Sequence, residues 1–191
     1  MVAEIDRLRQ ENESLGGTFE VRAFGIVPGL GSHTSWDAKL DGRIAQAMVS
    51  IQSVKAASIG PAWDVAGRPG SEAHDEILYD EERGWHRETN HAGGLEGGMT
   101  NGEALVVRAA IKPISTLTKP LRSVDTETKE PAEALRERTD STVVPAAAVV
   151  GEAMVALVLA GAYREKFGGD HLDDVLEAVG RYEERIGWRR S

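Results

Sequence analysis

Hydrophobic and polar residues recur along this chain with two different periods, which separate strands from helices. "GGTFEVRAFGI" alternates residue by residue and predicts a strand over Thr18–Ile26. After the turn-forming "VPGLGSH", Trp36, Leu40, Ile44, Ala47 and Met48 recur at helical spacing, with Ser35 as the N-cap. "SIQSVKAASIG" is strand-like in places, and Val54, Ala56 and Ser58 share one side if it is extended. Residues 61–84 mix turn formers with a short strand around Glu76–Tyr79. A clear strand covers Ala104–Ile111. "KPISTLTKPLR" after it resists helix, because it holds two prolines and several β-branched residues. Ser123–Thr128 predicts a further short strand.

The ends of the chain are helical. A short charged helix is predicted over Ala3–Asn12. A long one covers Pro145–Lys166, with proline in its first turn and Gly168-Gly169 past its end. Asp170 is the expected cap of a last helix, Leu172–Arg185, whose stripe is Leu172, Val175, Leu176 and Val179. Strands and helices in this order read as an α+β fold. No short-period repeat interrupts the pattern.

One segment fits neither period. Ala92–Gly102, "AGGLEGGMTNG", places five glycines in eleven positions. Ordering glycine is entropically costly, so the segment is either a linker or serves a purpose. Leu95 and Met99 argue against a solvated linker. No Gly-Lys-Ser/Thr follows, which excludes a Walker loop, and the short strand-like stretch after it does not fit a dinucleotide fingerprint. A tight turn and a ligand-facing loop both remain open.

Composition narrows the classes. The 191 residues suffice for one domain with a core. A net charge of −9 argues against general nucleic-acid binding, although it is compatible with a local basic pocket for a phosphorylated substrate. The absence of cysteine removes disulfides, thiolate catalysis and cysteine metal sites, and fits a reducing cytoplasm. No signal peptide is visible, since charged "AEIDRLRQENE" follows almost at once. Val143–Ala162 is nearly apolar, yet Glu152 sits in its middle and Ala and Gly dominate, which favours a buried core helix over a membrane span.

Candidate chemistry is thin when each motif is read alone. Lys112-Pro113 through Lys119-Pro120 offers donors to a phosphate, but reads first as a solvated connector. Arg138 and Asp140 share a face on extended backbone, and read first as a surface ion pair. The five histidines show no i,i+4 pair and no HExxH, so no metal site is expected. His74-Asp75-Glu76 would not converge if it lies on a strand. No nucleophile elbow supports Ser-His-Asp hydrolysis.

Taken together, four stretches carry more. "PGLGSHTSWDAKLDGRIAQAMVSIQSVK", "GSEAHDEI", "TNHAGGLEGGMTNGEALVVRAAIKPISTLTKPLRSVD" and "RTDSTVVPAAAVVGEAM" occur in this order. They strongly resemble chorismate synthase, nearly from end to end of the chain. The resemblance implies helices layered with antiparallel sheet in a β-α-β sandwich, here partial, and assembly as a homotetramer. It implies a lyase of the shikimate pathway that turns 5-enolpyruvylshikimate 3-phosphate into chorismate and phosphate with reduced FMN; NADP is associated with the family as well. By matching motif, Gln52, Ser53, Gly97, Lys112, Pro113, Ile114, Ser115 and Thr116 fall on FMN contacts. Arg138 falls on an arginine at the flavin and substrate site, and Asp140 on the carboxylate that helps deprotonate flavin N5. The glycine loop is then expected to let backbone come close to the flavin.

Departures from the family pattern are of two kinds. Ser53 stands for the usual alanine, Ala56 for a glycine, and Thr139 lies between the Arg and Asp of the usual triplet. The larger departure is that residues 1–191 match only about the C-terminal half of the pattern, as one unit. The upstream "GESHG" block, the arginine-rich stretch and a second histidine have no counterpart. The chain alone is therefore expected to be inactive, as a fragment, a truncated frame or one subunit of a split enzyme that needs an N-terminal half. A non-catalytic flavin- or anion-binding module is the reading from a different class.

Overall fold

The computed structural model describes residues 1–188. A three-stranded antiparallel sheet organises them, in the order β1 (Gly17–Ala23), β7 (Leu105–Ile111), β2 (Val54–Ile59). β7 buries every second residue, Leu105, Val107, Ala109 and Ile111, while β1 contributes Phe19 and Val21 to the same face. Two helices cover that face. α2 (Leu40–Ser50) inserts Leu40, Ile44 and Met48, all fully buried, and α5 (Val144–Phe167) inserts Ala147, Gly151, Val155, Leu159 and Ala162. Gly151 is a contact point: a Cβ there would lie 2.6 Å from Cε2 of Phe19, so the helix reaches the sheet only without a side chain.

The remaining elements are peripheral. α1 (Val2–Gln10) buries nothing. α3 (Ala62–Ala66) and α4 (Gly70–Ala73) are single turns before a hairpin of β3 (Leu78–Asp80) and β4 (Gly84–His86). β5 (Leu95–Glu96) and β6 (Met99–Thr100) form a minimal hairpin inside the glycine segment. β8 (Arg122–Val124) and β9 (Pro131–Glu133) form another, exposed throughout. α6 (Leu172–Ile186) packs back on α5 through Val179, with Tyr182 edge-on to Phe167 at 5.4 Å. One sheet layer and one helix layer make an α+β fold; among the described residues the other sheets are two-stranded hairpins.

Several expectations are corrected. β1 stops at Ala23, because the chain turns through Gly25 at φ +66. α2 starts at Leu40, not after Ser35: residues 36–38 form a turn, Trp36 is exposed, and the Ser35 hydroxyl serves the Asp37 carboxylate. Helix α2 begins where the hairpin carbonyl of Gly98 accepts the Leu40 N–H at 2.9 Å. Val54, Ala56 and Ser58 do not share a side, because a bulge between Val54 and Ala56 shifts the register and turns Ala57 and Ile59 inward. The Ser123–Thr128 strand is instead the hairpin of β8 and β9. His171, not Asp170, caps α6 by accepting the Asp173 N–H, and Leu172 and Leu176 face outward. They flank a groove of about 780 Å³ between α5 and α6.

α5 is long and apolar enough to cross a membrane by length and composition. Here one stripe of it is core, while Val149, Val150 and Leu157 on its other side are exposed. Its hydrophobicity all round is what a helix covered on both sides needs.

Candidate functional site

The candidate residues fall at the two ends of β7. At the Ile111 end, three separate stretches converge. The Lys112 N–H donates to the Ser53 carbonyl at 3.0 Å, which joins the loop after β7 to the turn before β2. Thr116 Oγ1 donates to Thr139 Oγ1 at 3.1 Å, and the Glu137 N–H reaches the Leu117 carbonyl at 3.3 Å. The Leu15 N–H donates to the Ser141 carbonyl at 2.8 Å, which ties the third stretch to the start of β1. Gly16 allows this crowding, since a Cβ there would fall 2.3 Å from the Ile111 carbonyl oxygen. Gln52-Ser53, Lys112–Thr116 and Arg138–Asp140 thus lie on adjoining segments.

The side chains at this end face water. Gln52, Lys112, Pro113, Ser115, Arg138 and Asp140 are exposed, while Ser53, Ile114 and Thr116 are partly buried. Ser53 holds φ +66, a backbone state that costs a residue with a Cβ about 1–2 kcal/mol. Arg138 and Asp140 do not pair with each other, and among the described residues Lys112, Arg138 and Asp140 have no ion-pair partner. Two free cations, two hydroxyls and a carboxylate on one open surface suit an anionic ligand with polar edges.

The Leu105 end is built differently. Gly97 and Gly98 carry φ +59 and +85, which makes the hairpin turn tight and matched to strand twist. Gly93 packs on Gly60, where a Cβ would meet the Gly60 nitrogen at 2.3 Å. Thr100 is buried: its hydroxyl donates to the Val27 carbonyl at 2.6 Å and accepts from the Leu30 N–H at 2.8 Å. Asn90 bridges the Gly94 N–H and the Ala104 carbonyl. Gly97 alone among these has open space around its Cβ position. The tight turn is present throughout the glycine segment, and the backbone at Gly97 is exposed. The structure does not bring Gly97 to Ser53 or Lys112, since the seven residues of β7, about 20 Å, lie between the two ends.

Asp75, the middle of the His74-Asp75-Glu76 triplet, fixes the entry to this hairpin. The Asp75 side chain is fully buried and accepts from Thr89 Oγ1, the His91 N–H and the Ala92 N–H at 2.6, 2.8 and 2.9 Å. Burial by itself would raise this carboxyl. The bonds from Thr89 and the two backbone N–H groups, with the nearby His91 ring, outweigh it and hold the group below its ordinary value. His74 and Glu76 beside it are exposed, so the triplet does not converge, and among the described residues no cluster suits a metal ion. The partners of Asp75 lie fourteen to seventeen positions ahead, a separation with no periodic signal.

Fold and site together define an α+β protein with a rigid glycine hairpin at one end of its sheet and an open anion-suited surface at the other. The sequence pattern described as chorismate synthase matches residues 1–163. A chorismate synthase of Thermus thermophilus is 58% identical over 97% of this chain and 48% of its own length. One from Aquifex aeolicus is 54% identical over 98% of the chain and 46% of its own. A solved structure, "Crystal Structure of Chorismate Synthase", superposes with a TM-score of 0.80 at 44% identity, covering 97% of this chain and 48% of that one. The chain belongs to the chorismate synthase family. It spans about half the length of the curated relatives it matches.

Proposed function

We propose that this chain is the C-terminal part of a chorismate synthase and supplies the flavin-facing portion of its site, as one unit over residues 1–191. The observation that carries this reading is the convergence of three stretches separated in sequence. Lys112 N–H to Ser53 carbonyl and Thr116 to Thr139 bring Gln52-Ser53, Lys112–Thr116 and Arg138–Asp140, which stand at the family's motif positions, to one end of the sheet. The donor set fits FMN. Gln52, Ser115 and Thr116 offer polar groups to ring edges, and Lys112 and Arg138 offer charge to phosphate. Reduced FMN, when bound, would lend an electron as the C–O bond to phosphate breaks and regain it as a ring proton is lost, so that the overall reaction is redox-neutral. Arg138 binds the anionic substrate, 5-enolpyruvylshikimate 3-phosphate. Asp140, exposed and unpaired, takes the proton at flavin N5.

On this reading the chain is inactive by itself. Arg138, Lys112 and Asp140 are open to water, where charge interactions are weak, and a lyase site needs them enclosed. The apolar outer side of α5, with Val149 and Leu157 exposed, supports a cover supplied by the rest of the family pattern, within a cytoplasmic homo-oligomer that the family assembles as a tetramer. The test is a titration of FMN into the purified chain, with and without 5-enolpyruvylshikimate 3-phosphate, read by flavin absorbance, beside an assay for chorismate with reduced FMN. Substrate-enhanced flavin binding without turnover is expected. Chorismate formation by the isolated chain would overturn the inactivity, and absence of any flavin binding would overturn the flavin-facing role.

A further inference from the structure

Residues 61–83 leave the sheet after β2 and bury no residue of their own as a whole; Trp63, Ile77 and Tyr79 on this excursion are exposed. At side-chain level Asp75 is buried, its carboxylate having no exposure. A buried carboxylate is costly unless it is charge-compensated or fully hydrogen-bonded. Asp75 meets that requirement with one hydroxyl and two backbone N–H groups, all from residues 89–92. A second contact joins the same two segments. Arg68 Nη1 lies 3.3 Å from His91 Nε2. Arginine only donates, so Nε2 accepts and the ring proton sits on Nδ1, which faces Asp75 Oδ1 at 3.5 Å.

The segment so held runs directly into Gly93, Gly94 and the hairpin turn at Gly97. The other side of the hairpin is fixed independently by Thr100. Strands β5 and β6 have two residues each, too few to hold their own geometry. The hairpin's shape is therefore set from outside its strands, by Asp75 at entry, by Thr100 at exit, and at the turn by the Leu40 N–H on the Gly98 carbonyl and by Arg87 on Glu96.

We propose that Asp75 is a positioning residue for the ligand contact at Gly97. By accepting the His91 and Ala92 N–H groups, it fixes the direction in which the chain enters the glycine hairpin. Together with the ties at Glu96 and Gly98, this sets the orientation of the open backbone at Gly97. The ligand part rests on the flavin reading above together with the motif match that puts Gly97 among the FMN contacts, at the end of the sheet opposite Lys112; the positioning part rests on the hydrogen bonds alone. Asp75→Asn is the sharp variant. It keeps an oxygen for Thr89 and His91 but turns an NH₂ toward the Ala92 N–H. Thr89→Val is a milder companion that removes one bond and leaves the carboxylate in place.

The experiment compares the unmodified chain with both variants by amide hydrogen exchange and FMN titration. Asp75→Asn should speed exchange at residues 91–94 at least tenfold while amides of β7 and α5 keep their protection, and should weaken FMN binding about tenfold. Thr89→Val should move both readouts the same way by less. A role in general stability would instead speed exchange across β7 and α5 as well, and would overturn the proposal. Unchanged exchange at 91–94 in both variants would overturn it too, as would faster exchange there with FMN affinity intact. If the unmodified chain binds no FMN, the flavin reading fails, and the exchange result decides the positioning role by itself.

Discussion

At the Leu105 end of β7, side chains hold the glycine hairpin: Asp75 from a distant segment, and Asn90 and Thr100 of the hairpin's own stretch, bond its backbone or its flanks, and Gly93 lies against Gly60 with no room for a methyl group. At the Ile111 end, residues 112–140 are tied by a few bonds, chiefly Lys112 to Ser53 and Thr116 to Thr139, and carry their charges into water. The first end has the look of a finished part. The second offers charged and polar groups on an open surface. The chain spans about half the length of its curated relatives, and its two ends differ in that one is packed by its own residues while the other lies open to water.

That contrast can be broken first at its tightest point. Gly93→Ala forces a methyl group to within 2.3 Å of the Gly60 nitrogen at φ +63. Backbone strain of about 1–3 kcal/mol and overpacking of about 1–3 kcal/mol should together lower the midpoint of urea unfolding strongly; a midpoint equal to that of the parent would mean the Leu105 end is looser than described. A smaller loss, about 1–3 kcal/mol, is expected for Thr100→Val, which leaves the Leu30 N–H and the Val27 carbonyl without their buried partner. The same unfolding measurement checks it. The smallest effects on stability belong to the other end. Lys112→Ala and Arg138→Ala should each stay within about 0.5 kcal/mol of the parent, yet weaken FMN binding at least tenfold by absorbance titration. A large loss of stability from either would show that the open end is already a structural part.

The elements with many repeats of one period were readable. α5 shows this, with Pro145 in its first turn and Gly168 at φ +69 just past its end. The hairpins were not, because β4 has three residues and β9 contains Pro131, too little for a period to appear. The start of α2 was misplaced for a related reason. Ser35 looks like a cap by position, but Asp37 offers its hydroxyl a partner two residues on, and the helix waits for the Gly98 carbonyl. For the site, resemblance supplied residue identities and the fold supplied their grouping. Nothing in the spacing places Lys112 beside Ser53, or keeps Gly97 a strand's length from both. Asp75 reads in the sequence only as part of a non-converging triplet, because its partners lie fourteen to seventeen positions along the chain.

The position of β7 between β1 and β2 also sets a timetable. Gly17 is opposite Ile111, and Val54 is opposite the same residue. As the chain leaves the ribosome, β1 and β2 have no strand to pair with until residue 111 has emerged. At about 5–20 residues per second, that is a wait on the order of 5–20 s for β1. Such distant pairing also places the chain among slow-folding topologies. In that interval the apolar faces of β1 and α2 are open to any sticky neighbour, so yield in a cell should respond to slower synthesis and added chaperone more than to gains in final stability.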